Sequence, residues 1–148
     1  DNTGFDKEYG GDGTNYAFLN DGTYVRYKTY ADFEDDIEIG LTSDAFPGIS
    51  FDQSKRIVAT TALTTKERIY FFLDDGNYLR FDPKTKRVDQ KLWPIGTGWS
   101  GVRDDIVAAG DFVDSSGAIY FFYSDGQYGR YDVKQQRVTY EGSASGWK

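Results

Sequence analysis

At 148 residues, with 39% hydrophobic and 28% charged side chains, the chain has the balance of one globular domain, long enough to bury a sizeable core. A formal net charge of −7 argues against nucleic acid as a partner, and no apolar run approaches the ~18 residues of a membrane helix. Cys, His and Met are absent, which excludes disulfides, the usual ligands of zinc, copper and iron–sulfur sites, and nucleophiles that depend on histidine.

In chain order, the start "DNTGFDKEYG" (1–10) has neither the basic nor the apolar region of a signal peptide. Within it, "NTGFDKEY" (2–9) is a weak candidate for a first strand. Tyr16 and Phe18 then precede an Asp21-Gly22 turn, followed by Tyr24, Arg26 and Tyr27, with "SDAFPG" (43–48) as a connector. "RIVATTAL" (56–63) is a β-rich run of small residues, suited to a crowded interior. "ERIYFFL" (67–73), the Asp75-Gly76 turn and "NYLRFD" (77–82) form a hairpin, and "KRVDQ" (86–90) adds a fourth strand before "PIGTGWSG" (94–101). The same order returns in "DIVAAGDF" (105–112), "GAIYFFY" (117–123), Asp125-Gly126, "QYGRYD" (127–132) and "QRVTY" (136–140), with "SASGWK" (143–148) last. Helix is expected for no more than a turn or two in the connectors.

Asp21, Asp75 and Asp125 lie 54 and 50 residues apart, each inside aromatic-x-aromatic, Asp-Gly-x-Tyr-x-Arg-aromatic. The chain is therefore one domain (1–148) of three repeats, approximately 1–48, 49–101 and 102–148. Units of 40–50 residues holding four strands are the signature of propeller blades, which bury their faces by stacking. Strand alternation places Tyr78 and Arg80 on one face, Leu79 and Phe81 on the other.

The order "IVAAGDF…AIYFFYSDGQYGRYD…QRV…GW" resembles the hemopexin repeat, and "IVATTAL…RIYFFLDDGNYLRFDPKTKRVDQKLWPI…GWSG" matches it best, with "DAFPGI" as the connector before it. The resemblance implies an all-β fold, a small β-propeller of hemopexin-like four-stranded blades with three repeats in this chain. Family members usually have four blades and a disulfide between first and last; here there are three units and no Cys. The family's inner-strand Asp-Ala pair is replaced by Val58-Ala59 and Val107-Ala108. The resemblance also implies ions in the central channel, held by backbone carbonyls near Val58, Ala59, Val107 and Ala108; calcium or sodium there would be structural, and no cofactor is required. A discrete three-unit disc is expected, closing alone or as a homo-oligomer, since an open edge blade invites pairing with another chain; the alternative is a piece of a longer protein.

The repeated Tyr–Arg pairs have two readings. Tyr78, Arg80, Tyr128 and Arg130 could present ligand pockets, or the Tyr packs between units while Arg pairs with an acidic neighbour such as Asp82 or Asp132. Recurrence with the fold favours the second. Trp99 and Trp147 sit at equivalent positions, with Phe46 as their counterpart in the first unit; together with Trp93 they are anchors between units or platforms for sugar rings. Asp104 and Asp105 are nearby acceptors, as are the acids of "FEDDIE" (33–38). Neither Asp35-Asp36 nor Asp104-Asp105 is a glycosidase pair in itself, because adjacent strand residues point to opposite faces. The expectation is a non-catalytic ligand-binding protein, a lectin-type carbohydrate binder with repeated weak sites, directed at glycans or other small ligands and acting outside the cell. The alternatives are a haem- or polyamine-binding protein, with only Tyr left as an axial haem ligand, or a protein–protein interaction module.

Overall fold

A computed structural model describes residues 14–28, 37–49, 56–63, 68–111 and 117–146. They form three antiparallel sheets in chain order. The first holds β1 (Thr14–Phe18), β2 (Thr23–Lys28) and β3 (Glu38–Leu41). The second holds β4 (Ile57–Leu63), β5 (Arg68–Leu73), β6 (Asn77–Asp82) and β7 (Arg87–Pro94). The third repeats that order with β8 (Ile106–Asp111), β9 (Ala118–Tyr123), β10 (Gln127–Asp132) and β11 (Arg137–Ser143). The predicted strand in 2–9 lies outside the described residues. Among the described residues helix is confined to the connectors: α1 (Thr42–Ala45), α2 (Ile95–Gly98) and a 3-10 turn at Ala144–Gly146. Among the described residues no helix is long and apolar enough to cross a membrane.

The Asp-Gly turn builds all three sheets by the same local chemistry. The backbone N–H two residues on donates to the Asp carboxylate: Thr23 to Asp21, Asn77 to Asp75 and Gln127 to Asp125, at 3.0–3.1 Å. The glycine then takes φ of 84°, 80° and 81° at Gly22, Gly76 and Gly126, a region closed to most side chains. Its carbonyl accepts the first N–H of the connector: Thr42, Ile95 and Ala144 donate at 2.8–2.9 Å. Each hairpin thereby fixes where its own connector starts.

β7 and β11 run several residues past the predicted ends at Gln90 and Tyr140. Register shifts between β6 and β7, and at Arg130/Tyr131 between β10 and β11, absorb the irregular pairing and let the last strand continue. The inner strands also bulge. Ile57 pairs with Leu73 and Ala59 with Phe72, leaving Val58 as the extra residue; Val107 is its counterpart between Ile106 and Ala108.

Alternation gives every sheet a forward face, carrying the Tyr and Arg of the repeat, and a rear face. The forward face of the first sheet (Tyr16, Phe18) and Phe46 pack on the rear face of the second, Ile69, Phe71, Leu79 and Phe81. The forward face of the second (Tyr70, Phe72, Tyr78) and Trp99 pack on the rear face of the third, Ile119, Phe121 and Tyr131. Leu79 and Phe81 thus oppose Tyr78 as alternation requires. The rear face of the first sheet is exposed and does not pack on the third, so the described residues do not close into a ring.

Candidate functional site

The connector aromatics are wedges. Phe46, 1% exposed, meets Tyr16, Phe18, Phe71 and Phe81 edge-on with ring centroids 5.3–5.4 Å apart. Trp99, 3% exposed, does the same one interface later, 4.9 Å from Tyr70 and Tyr131, 5.3 Å from Phe72 and 5.6 Å from Phe121. Neither ring keeps an open face on which a sugar could stack. Trp93 lies on β7 opposite Tyr78 and is 47% exposed. Its position corresponds to Gly40, opposite Tyr24, and Gly142, opposite Tyr128. Trp147 lies outside the described residues, as do Asp35 and Asp36.

Between the second and third sheets the packing opens into a cleft of about 280 Å³. Tyr70, Tyr78, Arg80 and Gln90 line it from the second sheet, Trp99 and its neighbours from the connector, and Tyr131, Val133 and Gln136 from the third sheet. Gln90 donates Nε2–H to the Tyr78 hydroxyl at 3.0 Å. That hydroxyl is seated against the connector at Gly98, where a Cβ would stand 2.0 Å from Oη. Trp99 lines the same cleft, and its buried indole N–H has no acceptor. Burial pushes the Tyr70 and Tyr131 hydroxyls above their ordinary pKa, so both remain neutral hydrogen-bonding groups at physiological pH, with Arg80 pulling Tyr70 the other way.

The expected partner of Arg80 needs correction. Arg80 donates Nε–H to Asp89 at 2.7 Å, while Asp82 faces Arg68 at 3.4 Å. Asp89 also accepts from Arg68 at 2.8 Å, so one carboxylate on the neighbouring strand serves both cations. The guanidinium at the cleft is therefore a neutralised donor. In the third sheet Arg130 does approach Asp132, at 4.0 Å, and donates to Thr139 Oγ1 at 3.2 Å.

The first interface is arranged differently at the matching place. Glu38 pairs with Arg26 in register, as Gln90 does with Arg80, and accepts from both the Tyr24 hydroxyl and Arg26. That hydrogen bond, with burial and the carboxylate's charge, pushes the Tyr24 hydroxyl up to about 12.

Of the predicted residues, the cleft brings together Tyr78, Arg80 and Trp99. Trp93 and Phe46 are elsewhere, and Tyr128 and Arg130 belong to the forward face of the third sheet. Asp104 sits against the Gly76 turn. Asp105 is tied to Arg103 at 2.6 Å and to the Ser124 hydroxyl at 2.7 Å, a staple with Arg103 also reaching Asp125 at 2.9 Å. Tyr70, Gln90, Tyr131 and Gln136 were not singled out. The signal for Tyr70 and Tyr131 was in the repeat itself: stacking sets the forward face of one unit against the rear face of the next. Gln136 is signalled by nothing in the sequence; it is placed by a turn in which it takes φ of 55°, as Lys86 does at 53°.

At the predicted channel positions the only donors are backbone oxygens. The bulges at Val58 and Val107 leave one unpaired residue on each of these two strands, and backbone oxygens suit a hard cation in kind.

Sheet order, connector wedges and repeated hairpins together define an all-β, hemopexin-type fold. No family model matches the sequence, and neither does any curated protein. Among solved structures, the chain is similar to a plant albumin from Cicer arietinum showing hemagglutination (TM-score 0.71, 20% identity, over 89% of this chain and 63% of that one). It is also similar to the hemopexin fold protein CP4 from cow pea (TM-score 0.68, 17% identity, over 91% of this chain and 65% of that one). The chain spans less than two thirds of the length of either protein.

Proposed function

We propose that the chain is a non-catalytic, lectin-type carbohydrate-binding β-propeller whose ligand enters the cleft between the second and third sheets. The observation that carries this reading is the composition of that cleft: tyrosine walls, two amides and a charge-neutralised guanidinium. Sugars present apolar C–H faces and a rim of hydroxyls that donate and accept, and such a lining answers both. The volume is of the order of one sugar ring. The similar chickpea albumin shows hemagglutination, which is consistent with this reading and belongs to that protein. The residues that line the cleft include no carboxylate for a polyamine to pair with, which favours a neutral ligand. Any ion held at the Val58 and Val107 bulges is structural in this proposal, and the site of action is extracellular.

A glycan array, agglutination of red cells and inhibition by free sugars test the proposal together. The expected result is a small set of array ligands, sugar-inhibited agglutination, and loss of array binding in Gln90→Ala without loss of fold. Silence on both array and cells sinks it. A saturable haem titration with no glycan binding would replace it by the haem-binding alternative.

A further inference from the structure

The tyrosine that follows each Asp-Gly turn faces one position on the last strand of its sheet: Tyr24 faces Gly40, Tyr128 faces Gly142 and Tyr78 faces Trp93. In the first and third sheets the ring uses the space that glycine leaves. A Cβ at Gly40 would stand 3.0 Å from Cε1 and Oη of Tyr24, and one at Gly142 would stand 3.0 Å from Cε1 of Tyr128. Ordinary carbon contacts lie at about 3.5–4.0 Å, so a side chain at either place crowds the ring. The second sheet reverses the arrangement. Trp93 occupies the strand position, and the far edge of the Tyr78 ring lies against Gly98, where a Cβ would stand 2.0 Å from Oη and 2.6 Å from Cε1 and Cζ. The residue matching Gly98 in the first unit, directly before the wedge Phe46, is Ala45. Glycine and side chain have thus changed places between the two interfaces. The backbone differs as well: β6 advances two residues from Tyr78 to Arg80 while β7 runs three, from Gln90 to Trp93. The same step is two against two in both other sheets. Such a bulge re-aims side chains beside a site.

We infer that Trp93 is a positioning residue for the cleft: by filling the strand position it turns the Tyr78 ring off β7 and onto Gly98, so that the hydroxyl lines the cleft. Trp93 is not itself among the lining residues and acts through Tyr78. This gives a half-exposed ring a role that core packing does not supply. The first interface, with Gly40 on the strand and Ala45 in the connector, holds its tyrosine hydroxyl on Glu38 and does not repeat the site. The consequence for ligand specificity rests on the cleft being the sugar site; the positioning of Tyr78 does not.

A double-mutant cycle followed by urea denaturation tests the positioning without any ligand. Gly98→Ala should lower the folding equilibrium constant at least fivefold in the wild-type background, because Tyr78 has nowhere else to lie. In Trp93→Gly the pose of Tyr24 becomes open to Tyr78, and the same substitution should cost less than about twofold. Trp93→Phe keeps a side chain on the strand and should retain the full cost. Nuclear Overhauser contacts give a second readout that needs no lesion at Gly98. Those from the Tyr78 ring to the Gly98 Hα protons should disappear in Trp93→Gly, give way to contacts with the new glycine, and persist in Trp93→Phe. Equal costs of Gly98→Ala in the wild-type and Trp93→Gly backgrounds, unchanged contacts to Gly98 in Trp93→Gly, or loss of coupling in Trp93→Phe overturns the inference. On a glycan array, Trp93→Gly should bind at least fivefold more weakly than wild type and Trp93→Phe about equally. A wild type silent on the array refutes the sugar reading alone, since the cycle still decides what Trp93 does.

Discussion

Trp99 and Trp93 are six residues apart and answer to opposite physics, so replacing each with alanine separates wedge from surface. Trp99 touches aromatic rings of two sheets at 4.9–5.6 Å and is 3% exposed. Truncating a buried Trp costs the transfer free energy of its ring plus a cavity term, typically about 3–5 kcal/mol. Against a domain stability of about 5–15 kcal/mol this is a large share. For a chain of this size it corresponds to a fall in Tm of about 6–20 °C. The lost indole N–H, which had no acceptor, offsets part of that cost and places the result toward the lower end. Trp93→Ala removes a half-exposed ring and should stay within about 0.5 kcal/mol of wild type. Urea denaturation followed by circular dichroism, with midpoint and slope fitted for both variants, measures the difference. A Trp99→Ala cost below about 1 kcal/mol, or a larger cost for Trp93→Ala, would refute the assignment of Trp99 as the wedge between the second and third sheets.

Two further outcomes are expected. Gly98→Ala places a Cβ 2.0 Å from Tyr78 Oη and 2.6 Å from two ring carbons, so Tyr78 must move; denaturation should show a loss of about 1–3 kcal/mol, and any sugar affinity of the cleft should fall with it. Burial pushes the Asp89 carboxyl up, but the hydrogen bonds from Arg80 and Arg68 outweigh it and hold it below the usual carboxylate range. A depressed folded-state pKa contributes stability that is full above the unfolded value of about 3.9 and is lost as pH falls through the folded value. Asp105 behaves in the same way through Ser124 and Arg103. Stability measured between about pH 6 and pH 2 should therefore decline below pH 4, and Asp89→Asn should lower the plateau and flatten the decline.

The hairpins were legible because their chemistry is local. An Asp that caps its own turn, a glycine with positive φ and an alternating strand each leave a mark within ten residues of sequence, and β6 and β10 fall where those marks place them. Phe46 and Trp99 were readable as equivalents by their offset from the turn glycine, although offset alone does not distinguish a wedge from a platform; burial does. Asp89 was missed as the partner of Arg80 because the register shifts between β6 and β7 decide which carboxylate arrives opposite the arginine. Gln90 and Gln136 were invisible for a related reason: one depends on that register and the other on a turn of the following unit. The cleft belongs to a contact between repeats, and a repeat read by itself does not contain it.

Among the described residues the second sheet alone is packed on both faces by other sheets, the first behind it and the third in front. Backbone amides of β5 and β6 can then exchange with solvent only when two interfaces open, whereas those of the flanking sheets need one. Hydrogen exchange should grade accordingly, slowest in the middle and faster toward both ends. The chain is in this sense a short one-dimensional array with a keystone. A mutation in the middle repeat is transmitted to both neighbours, while one in an outer repeat is felt on one side.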